Sequence, residues 1–268
     1  MTECVNQDYW TTRVKGYDII ASPIITSSDL ESVISQFHLL DEKHDHNTSE
    51  FTGRGSVIKV SLSHEAKLNI DDLTTKADLD LLIRKGRRGG AVSSFNKSLF
   101  FAGRPGSYPE ECRMWQEYLC ILELRKAGVR VPKPAFAAVR KSRLLCYSGY
   151  LGTILLPDAR NLLDILENGI KMPSEKILNI AYQASKEAKK SLELGVLHAD
   201  LHPGNVMISS GEIYLIDFDK AVRFSLDDTL LEKNKDLLLA RWNRAIDKRV
   251  SDIELNSILK SGFAAGLK

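Results

Sequence analysis

No stretch of this 268-residue chain approaches the roughly 18 consecutive apolar residues that a membrane span requires. The start, Met1-Thr2-Glu3-Cys4, has neither a basic leader nor an apolar core of the kind that directs secretion, so the expected location is the cytoplasm. Cysteine is scarce. Cys4, Cys112, Cys120 and Cys146 make no C-x-x-C pair and no Cys/His spacing suited to zinc, which excludes a disulfide framework and a structural zinc site and leaves buried reduced thiols. There is no internal repeat and no low-complexity tract. What is there, 43% hydrophobic and 27% charged residues, describes a globular chain long enough for one large domain or two lobes sharing a cleft.

A net charge of +2 hides an uneven distribution. Residues 1–50 hold three Lys/Arg against nine Asp/Glu, whereas residues 84–143 hold fourteen against four. A basic block inside a near-neutral chain points to an anionic partner: nucleotide, nucleic acid or an acidic membrane surface. The alternative is a solvated helix face with its loops. The polar run from Asp41 to Asn47 reads as a loop, and its His44/His46 pair carries little weight as a metal site.

Residues 56–60 and 78–85 read as neighbouring antiparallel strands, the second alternating Leu79, Leu81 and Ile83. From Pro109 to Ala127, Met114, Tyr118 and Ile121 recur at helical spacing beside Trp115, Leu119 and Leu122. This predicts an amphipathic helix that opens on Glu110 and Glu111 and stops at Gly128. Three more strands are expected at 135–139, 144–147 and 150–156. Beyond Pro157 the pattern turns helical: a short helix over 161–167, a long one capped by Ser174 and running to Gly195, and another beginning at Leu237. Pro157 is the expected seam.

The chemistry follows the long helix. His198-Ala199-Asp200-Leu201-His202-Pro203-Gly204-Asn205 precedes the apolar strand Ile213 to Ile216, which closes on Asp217-Phe218-Asp219. H-x-D-x-x-x-x-N with a second acid at the end of a strand is the catalytic-loop and metal-loop pattern of protein-kinase-like phosphotransferases. Asp200 is placed to orient an acceptor hydroxyl and take its proton. Asn205 and Asp217 offer hard oxygen ligands to Mg²⁺ on nucleotide phosphates. A lone aspartate after a strand is more often a turn former, so the joint pattern carries the reading. His198 is expected to brace the loop, and Asp219 to support metal or hold Lys220.

LHADLHPGNVM followed by IYLIDFDKA resembles the lipopolysaccharide kinases, above all those that phosphorylate 3-deoxy-D-manno-octulosonic acid (Kdo). Further matches run in the same order through GRGSV at 53–57, LIRKGRRGG at 82–90, the Phe100-Phe101-Ala102-Gly103 segment and QEYLCILELRKAGVRVPKP at 116–134, so the resemblance covers residues 51 to about 250. It implies an α+β, two-lobed protein-kinase-like fold, with an antiparallel sheet and one main helix in the first lobe and a mostly helical second lobe. The lobes are expected at 51–157 and 158–268. Residues 1–50 form an N-terminal extension, either an extra strand and helix packed on the first lobe or a mobile segment.

Matching motif by motif, Glu117 is the ion-pairing glutamate and its partner lies on the strand before RRGG. Lys59 follows Gly55 too closely for that role. Arg84 takes the position by resemblance, with Lys85 adjacent and facing the opposite way, and the assignment between the two stays open. Gly53, Gly55 and Ser56 are the expected nucleotide contacts of a reduced glycine loop, since Ile58 stands where a third glycine would. The segment around Leu155 is the expected adenine hinge.

The implied activity is ATP- and Mg²⁺-dependent phosphorylation of a Kdo hydroxyl, the 4-hydroxyl, on a lipid A precursor. Arg87 and Arg88, with Lys97 and Arg104, are expected to hold that anionic substrate or the membrane surface. The implied partners are ATP, the Kdo-bearing lipid and the cytoplasmic leaflet of the inner membrane, touched peripherally; no nucleic acid is implied. A core heptose kinase, another small-molecule kinase and a non-catalytic nucleotide-binding scaffold are the competing readings.

Overall fold

A computed structural model describes residues 7–42, 57–66, 75–86, 100–101, 108–141, 146–168 and 172–268. The chain divides into two compact units, one of residues 1–119 and 133–155, the other of residues 120–132 and 156–268.

Alternating apolar residues build the first unit's sheet. Strands β1 (Trp10–Val14), β2 (Tyr17–Ala21), β3 (Val57–Ala66), β4 (Thr75–Lys85), β5 (Phe100–Phe101), β6 (Pro134–Lys141) and β7 (Cys146–Ile154) pair antiparallel in the order β1-β2-β6-β7-β4-β3, with β5 on β7. The expected neighbours β3 and β4 pair over their whole length, from Val57↔Arg84 to Ala66↔Thr75. Helices α1 (Ser27–Ser35) and α2 (Phe37–Glu42) complete a core in which Phe37 stacks on Tyr150 at 3.9 Å and meets Tyr17 edge-on at 5.3 Å. Residues 10–42 are thus two extra strands and two short helices of this unit. Thr26 starts α1 with a reciprocal cap, its hydroxyl accepting from the Asp29 N–H while the Asp29 carboxylate accepts from the Thr26 N–H.

Two expectations change here. The strands expected at 144–147 and 150–156 are one strand, β7, and Leu144 lies outside the described residues. Gly149 and Gly152 do not break it. They make room: a Cβ at Gly152 would lie 2.2 Å from the Phe136 ring, and one at Gly149 would lie 2.9 Å from Met114. Helix α3 (Arg113–Lys126) starts four residues later than Pro109. Glu110 and Glu111 sit in the preceding turn, where the Cys112 N–H donates to Pro109 O, so only the basic Arg125 and Lys126 end complements the helix dipole. Residues 113–119 of α3 belong to the first unit and the rest to the second.

The second unit is mostly helical: α4 (Leu162–Glu167), α5 (Ser174–Glu193), α6 (Asp228–Arg249) and α7 (Ile253–Leu267). Asn161 caps α4 through the Asp164 N–H. Ser174 is the first helical residue of α5 rather than its cap. Pro173 precedes it with φ −57°, and its carbonyl accepts the first helical bonds from Lys176 and Ile177. Helix α6 begins at Asp228, nine residues before the apolar run at Leu237, because Asp227 caps it through the Leu230 N–H. Trp242 of α6 stacks on Phe263 of α7 at 4.2 Å.

Short strands frame the loops of interest. Strand β10 (Val206–Ser209) pairs with β11 (Glu212–Leu215) around Ser210 and Gly211, whose positive φ values of 50° and 82° suit a two-residue hairpin turn. Strand β8 (Arg160–Asn161) adds to β10, and β9 (Val196–Leu197) pairs with β12 (Val222–Arg223). Residues 129–132 are tied to this unit. The buried Glu187 carboxylate accepts from the Arg130 N–H at 2.8 Å and from its guanidinium at 3.2 Å, while the Leu215 N–H donates to Arg130 O.

Candidate active site

In the second unit the strand registers bring the H-x-D-x-x-x-x-N loop to Asp217. At the open end of the β10/β11 hairpin, Asn205 precedes Val206 and Ile216 follows Leu215, and Val206 and Leu215 face each other. The Ile216 N–H donates to Asn205 O at 3.1 Å, which places Asp217 beside Asn205 in the chain path. Val222 pairs with Leu197, so Lys220 and Asp200 leave the same end of the β9/β12 ribbon. Lys220 Nζ accordingly reaches Asp200 Oδ2 at 2.6 Å.

The loop is held from inside. His198 is buried; its Nε2 meets Ile216 O at 2.9 Å and its Nδ1 accepts from the Asp200 N–H at 3.3 Å. That pair of bonds requires the neutral ring protonated at Nε2, and burial pushes its pKa down accordingly. The ring also lies 4.4 Å from Phe218. His202 Nδ1 accepts from the Gly204 N–H at 3.0 Å, starting the tight turn Pro203–Asn205. Burial, and then the charge of Arg249, lowers the His202 pKa to about 4, so this ring is neutral at physiological pH as well. Asn205 is buried, and its Nδ2 donates to Asp200 O at 2.9 Å.

Asp200 is half-buried and charged. Burial raises its pKa, but the hydrogen bond and charge of Lys220 outweigh that and hold the carboxyl below the usual range. Asp217 adopts φ +67°, a left-handed conformation that few non-glycine residues take, at the position where the apolar strand ends. With the Asn205 amide nitrogen committed to Asp200 O, its amide oxygen and the Asp217 carboxylate are the hard donors at the hairpin mouth. They fit Mg²⁺, which takes one or two protein oxygens and fills its shell with phosphate and water.

Arg241 lies on helix α6. In the fold its guanidinium donates to Ala199 O, the carbonyl just before Asp200. Sequence spacing contains no signal for this, since 42 residues separate the two groups.

In the first unit Arg84 of β4 donates to the Glu117 carboxylate of α3. The Glu117 side chain is 1% exposed and that of Arg84 28%, so a nearly dry carboxylate meets a cation that still reaches water. Lys59 instead pairs with Asp80 at 2.7 Å, in keeping with its exclusion on spacing. Leu155 donates its N–H to Asp80 O at 2.8 Å, which leaves its carbonyl as the backbone group it can offer a base. Gly53, Gly55, Ser56, Arg87, Arg88, Lys97, Arg104 and the His44/His46 pair lie outside the described residues. Part of the basic block works inside the fold: Arg125 donates to Val131 O, Arg140 covers the Tyr17 ring and Lys141 the Tyr108 ring.

An antiparallel sheet with helices, followed by a mostly helical unit that carries His198, Asp200, Asn205 and Asp217 in this arrangement, is the α+β layout of kinase-like phosphotransferases. Residues 65–255 match the family model of the lipopolysaccharide kinase (Kdo/WaaP) family. A 3-deoxy-D-manno-octulosonic acid kinase of Vibrio cholerae serotype O1 is 32% identical over 181 residues, 67% of this chain and 70% of the relative. One of Haemophilus influenzae is 27% identical over 178 residues, 65% of this chain and 68% of the relative. A solved structure described as WaaP in complex with acyl carrier protein aligns over 70% of each chain at 14% identity and a TM-score of 0.45. The chain belongs to the lipopolysaccharide kinase (Kdo/WaaP) family, and it is a phosphotransferase.

Proposed function

We propose that this protein transfers the γ-phosphoryl group of Mg·ATP to a hydroxyl of a Kdo sugar, the 4-hydroxyl, on a Kdo-bearing lipid A precursor. The observation that carries the acceptor is the shared naming of its relatives from Vibrio and Haemophilus as Kdo kinases over about two thirds of the chain. The geometry supports the chemistry. Asp200, charged and reaching solvent, takes the acceptor O–H as a hydrogen-bond donor; the acceptor oxygen bonds to the γ-phosphorus, the bond to the β,γ-bridging oxygen breaks, and ADP leaves with that electron pair. The hydroxyl proton passes to Asp200. Asn205 and Asp217 hold Mg²⁺, which neutralises charge on the phosphates.

Arg84, fixed by Glu117, is the cation for the nucleotide phosphates in place of Lys85. Gly53, Gly55 and Ser56 contribute phosphate contacts, and Leu155 an adenine contact through its carbonyl. Arg87 and Arg88 bind the sugar acid or lipid phosphates. No helix among the described residues is long and apolar enough to cross a membrane. Within this reading the enzyme meets the cytoplasmic leaflet of the inner membrane peripherally, through basic residues worth about 1 kcal/mol each near an anionic surface.

The test is transfer from labelled ATP and Mg²⁺ to Kdo–lipid A precursor, to core heptose acceptors and to small alcohols, with the phosphorylated position read by NMR. Label on the Kdo 4-hydroxyl is expected. Label on heptose alone overturns the acceptor, and tight ATP binding with no transfer to any acceptor overturns the enzyme reading in favour of a scaffold. Asp200→Ala lowers kcat by orders of magnitude at nearly unchanged nucleotide affinity, whereas Asp217→Ala also weakens Mg·ATP binding.

A further inference from the structure

The catalytic loop and the turn after β11 bring three carboxylates close to one lysine. Asp200, Asp217 and Asp219 all lie close enough to Lys220 to raise its pKa, the hydrogen bond from Asp200 first among the causes. Both histidines of the loop are kept neutral by burial. A γ-phosphoryl group brought to this loop meets these carboxylates, while of the other nearby cations Arg241 is committed to Ala199 O and Arg249 acts on His202. Lys220 is the cation that touches Asp200 among the described residues.

Its geometry fits that need. Lys220 Nζ binds one oxygen of Asp200 at 2.6 Å, and the other two ammonium hydrogens have no acceptor among the described residues. Side-chain exposures of 52% for Lys220 and 38% for Asp200 put the pair on an open side of the loop. As an exposed ion pair it contributes little to stability, so folding alone gives little reason for a lysine here. Its placement follows from the β9/β12 register, which presents residue 220 to residue 200 regardless of side-chain length.

We propose that Lys220 is a catalytic residue of the phosphoryl transfer: one N–H holds the Asp200 carboxylate toward the acceptor, and a second donates to an equatorial oxygen of the γ-phosphoryl group. The inference rests on the assignment of Asp200 to the acceptor hydroxyl. In the step, the acceptor oxygen–phosphorus bond forms as the phosphorus–bridging oxygen bond breaks. The proton moves from acceptor to Asp200, and Lys220 stays protonated throughout. Charge that spreads over the equatorial oxygens in the loose transition state meets a preorganised ammonium there. Nucleotide in the ground state gains little from it, so the effect falls on kcat.

Lys220→Met and Lys220→Arg test this in the full-length protein, with kinetics against the acceptor that the wild type phosphorylates and against water. Lys220→Met is expected to lower kcat about 10²- to 10³-fold, the loss typical of one transition-state donor, with KM for ATP within about threefold. Lys220→Arg restores most of the rate, and both variants melt within about 2 °C of the wild type. The rate penalty for replacing ATP by its γ-thio analogue shrinks in Lys220→Met, because the donor that senses the substituted oxygen is gone. The proposal is overturned if Lys220→Met keeps more than about a third of kcat, if the loss falls wholly on KM for ATP, or if arginine does no better than methionine. Wild-type ATP hydrolysis without transfer to Kdo refutes the proposed acceptor while still reading Lys220. A wild type that turns over ATP by neither route removes both.

Discussion

Replacing Arg84 by methionine takes away the guanidinium partner of the buried Glu117 carboxylate. The side chain keeps its aliphatic bulk while the guanidinium that donates to Glu117 is lost. Removing one partner of a buried ion pair costs about 3–5 kcal/mol, and because Arg84 is 28% exposed and Glu117 has further contacts, about 3 kcal/mol is expected here. At about 2–4 °C per kcal/mol for a chain of this size, the melting temperature falls by about 6–12 °C. Removing both charges in Arg84→Met/Glu117→Leu leaves no stranded carboxylate and returns the protein to within about 1 kcal/mol of wild type. The Glu117→Leu single variant completes the double-mutant cycle, followed by circular dichroism in heat and denaturant; with that variant near wild type because Arg84 still reaches water, the coupling is about 2 kcal/mol. Both Arg84 variants lose kcat/KM, so stability and activity separate in the double variant. An Arg84→Met variant that melts within 2 °C of wild type, or a double variant no more stable than Arg84→Met, refutes the reasoning that the pair is electrostatically tight.

Three other perturbations have definite outcomes. The pKa of His202 lies near 4 in the fold against about 6.5 in an unfolded chain, so its contribution is present above pH 6.5 and is lost as pH falls toward 4. Discounted for partial exposure it amounts to about 1–2 kcal/mol; His202→Asn, which keeps an acceptor for the Gly204 N–H, flattens the melting-temperature slope between pH 6.5 and 4.5, and identical slopes contradict the assignment. A Cβ at Gly266 would lie 1.8 Å from Ser185 Oγ and 2.5 Å from Tyr182 O, so Gly266→Ala pushes α7 off α5 at a cost of about 2–3 kcal/mol. Gly128→Asn, with nothing within 4 Å and a left-handed φ of 81° that asparagine tolerates, costs under about 1 kcal/mol; equal denaturation midpoints for the two variants dismiss the packing account. Arg241→Met frees the Ala199 carbonyl beside Asp200 and lowers kcat about tenfold at constant KM for ATP, with partial recovery in Arg241→Lys. An unchanged kcat there means that the tether does not position the loop.

Most elements were legible because their signals are local. The β3 and β4 alternation, the short helix after Pro157 and the helical spacing from Met114 to Leu122 each lie within a dozen residues and need no partner to be recognised. The misjudged boundaries are those that distant packing decides. Gly149 reads as a break until Met114 of α3 is seen to occupy the space it leaves, and the polar first turns of α6 show no apolar run although Asp227 caps them. The acidic start of the chain offered no motif, yet β2 has a pairing partner in β6, more than a hundred residues away in sequence.

The site divides in the same way. Asp200, Asn205 and Asp217, the residues of the proposed site, could be singled out from spacing alone, because phosphoryl transfer calls for these residue types at fixed offsets along one loop and one hairpin. Spacing could not tie Arg241 to Ala199 or bring Lys220 to Asp200, and it was the family resemblance, not spacing, that matched Arg84 to Glu117 with Lys85 left open. Those contacts depend on a strand meeting a helix, a late helix folding back, and the β9/β12 register. The net charge of +2 makes the same point: composition sets the sum, but only the tertiary structure determines which charges are spent on each other and which still face solvent. The physical reason is range, since propensity and capping act over a few residues whereas electrostatic and packing partners are chosen only after the chain has folded.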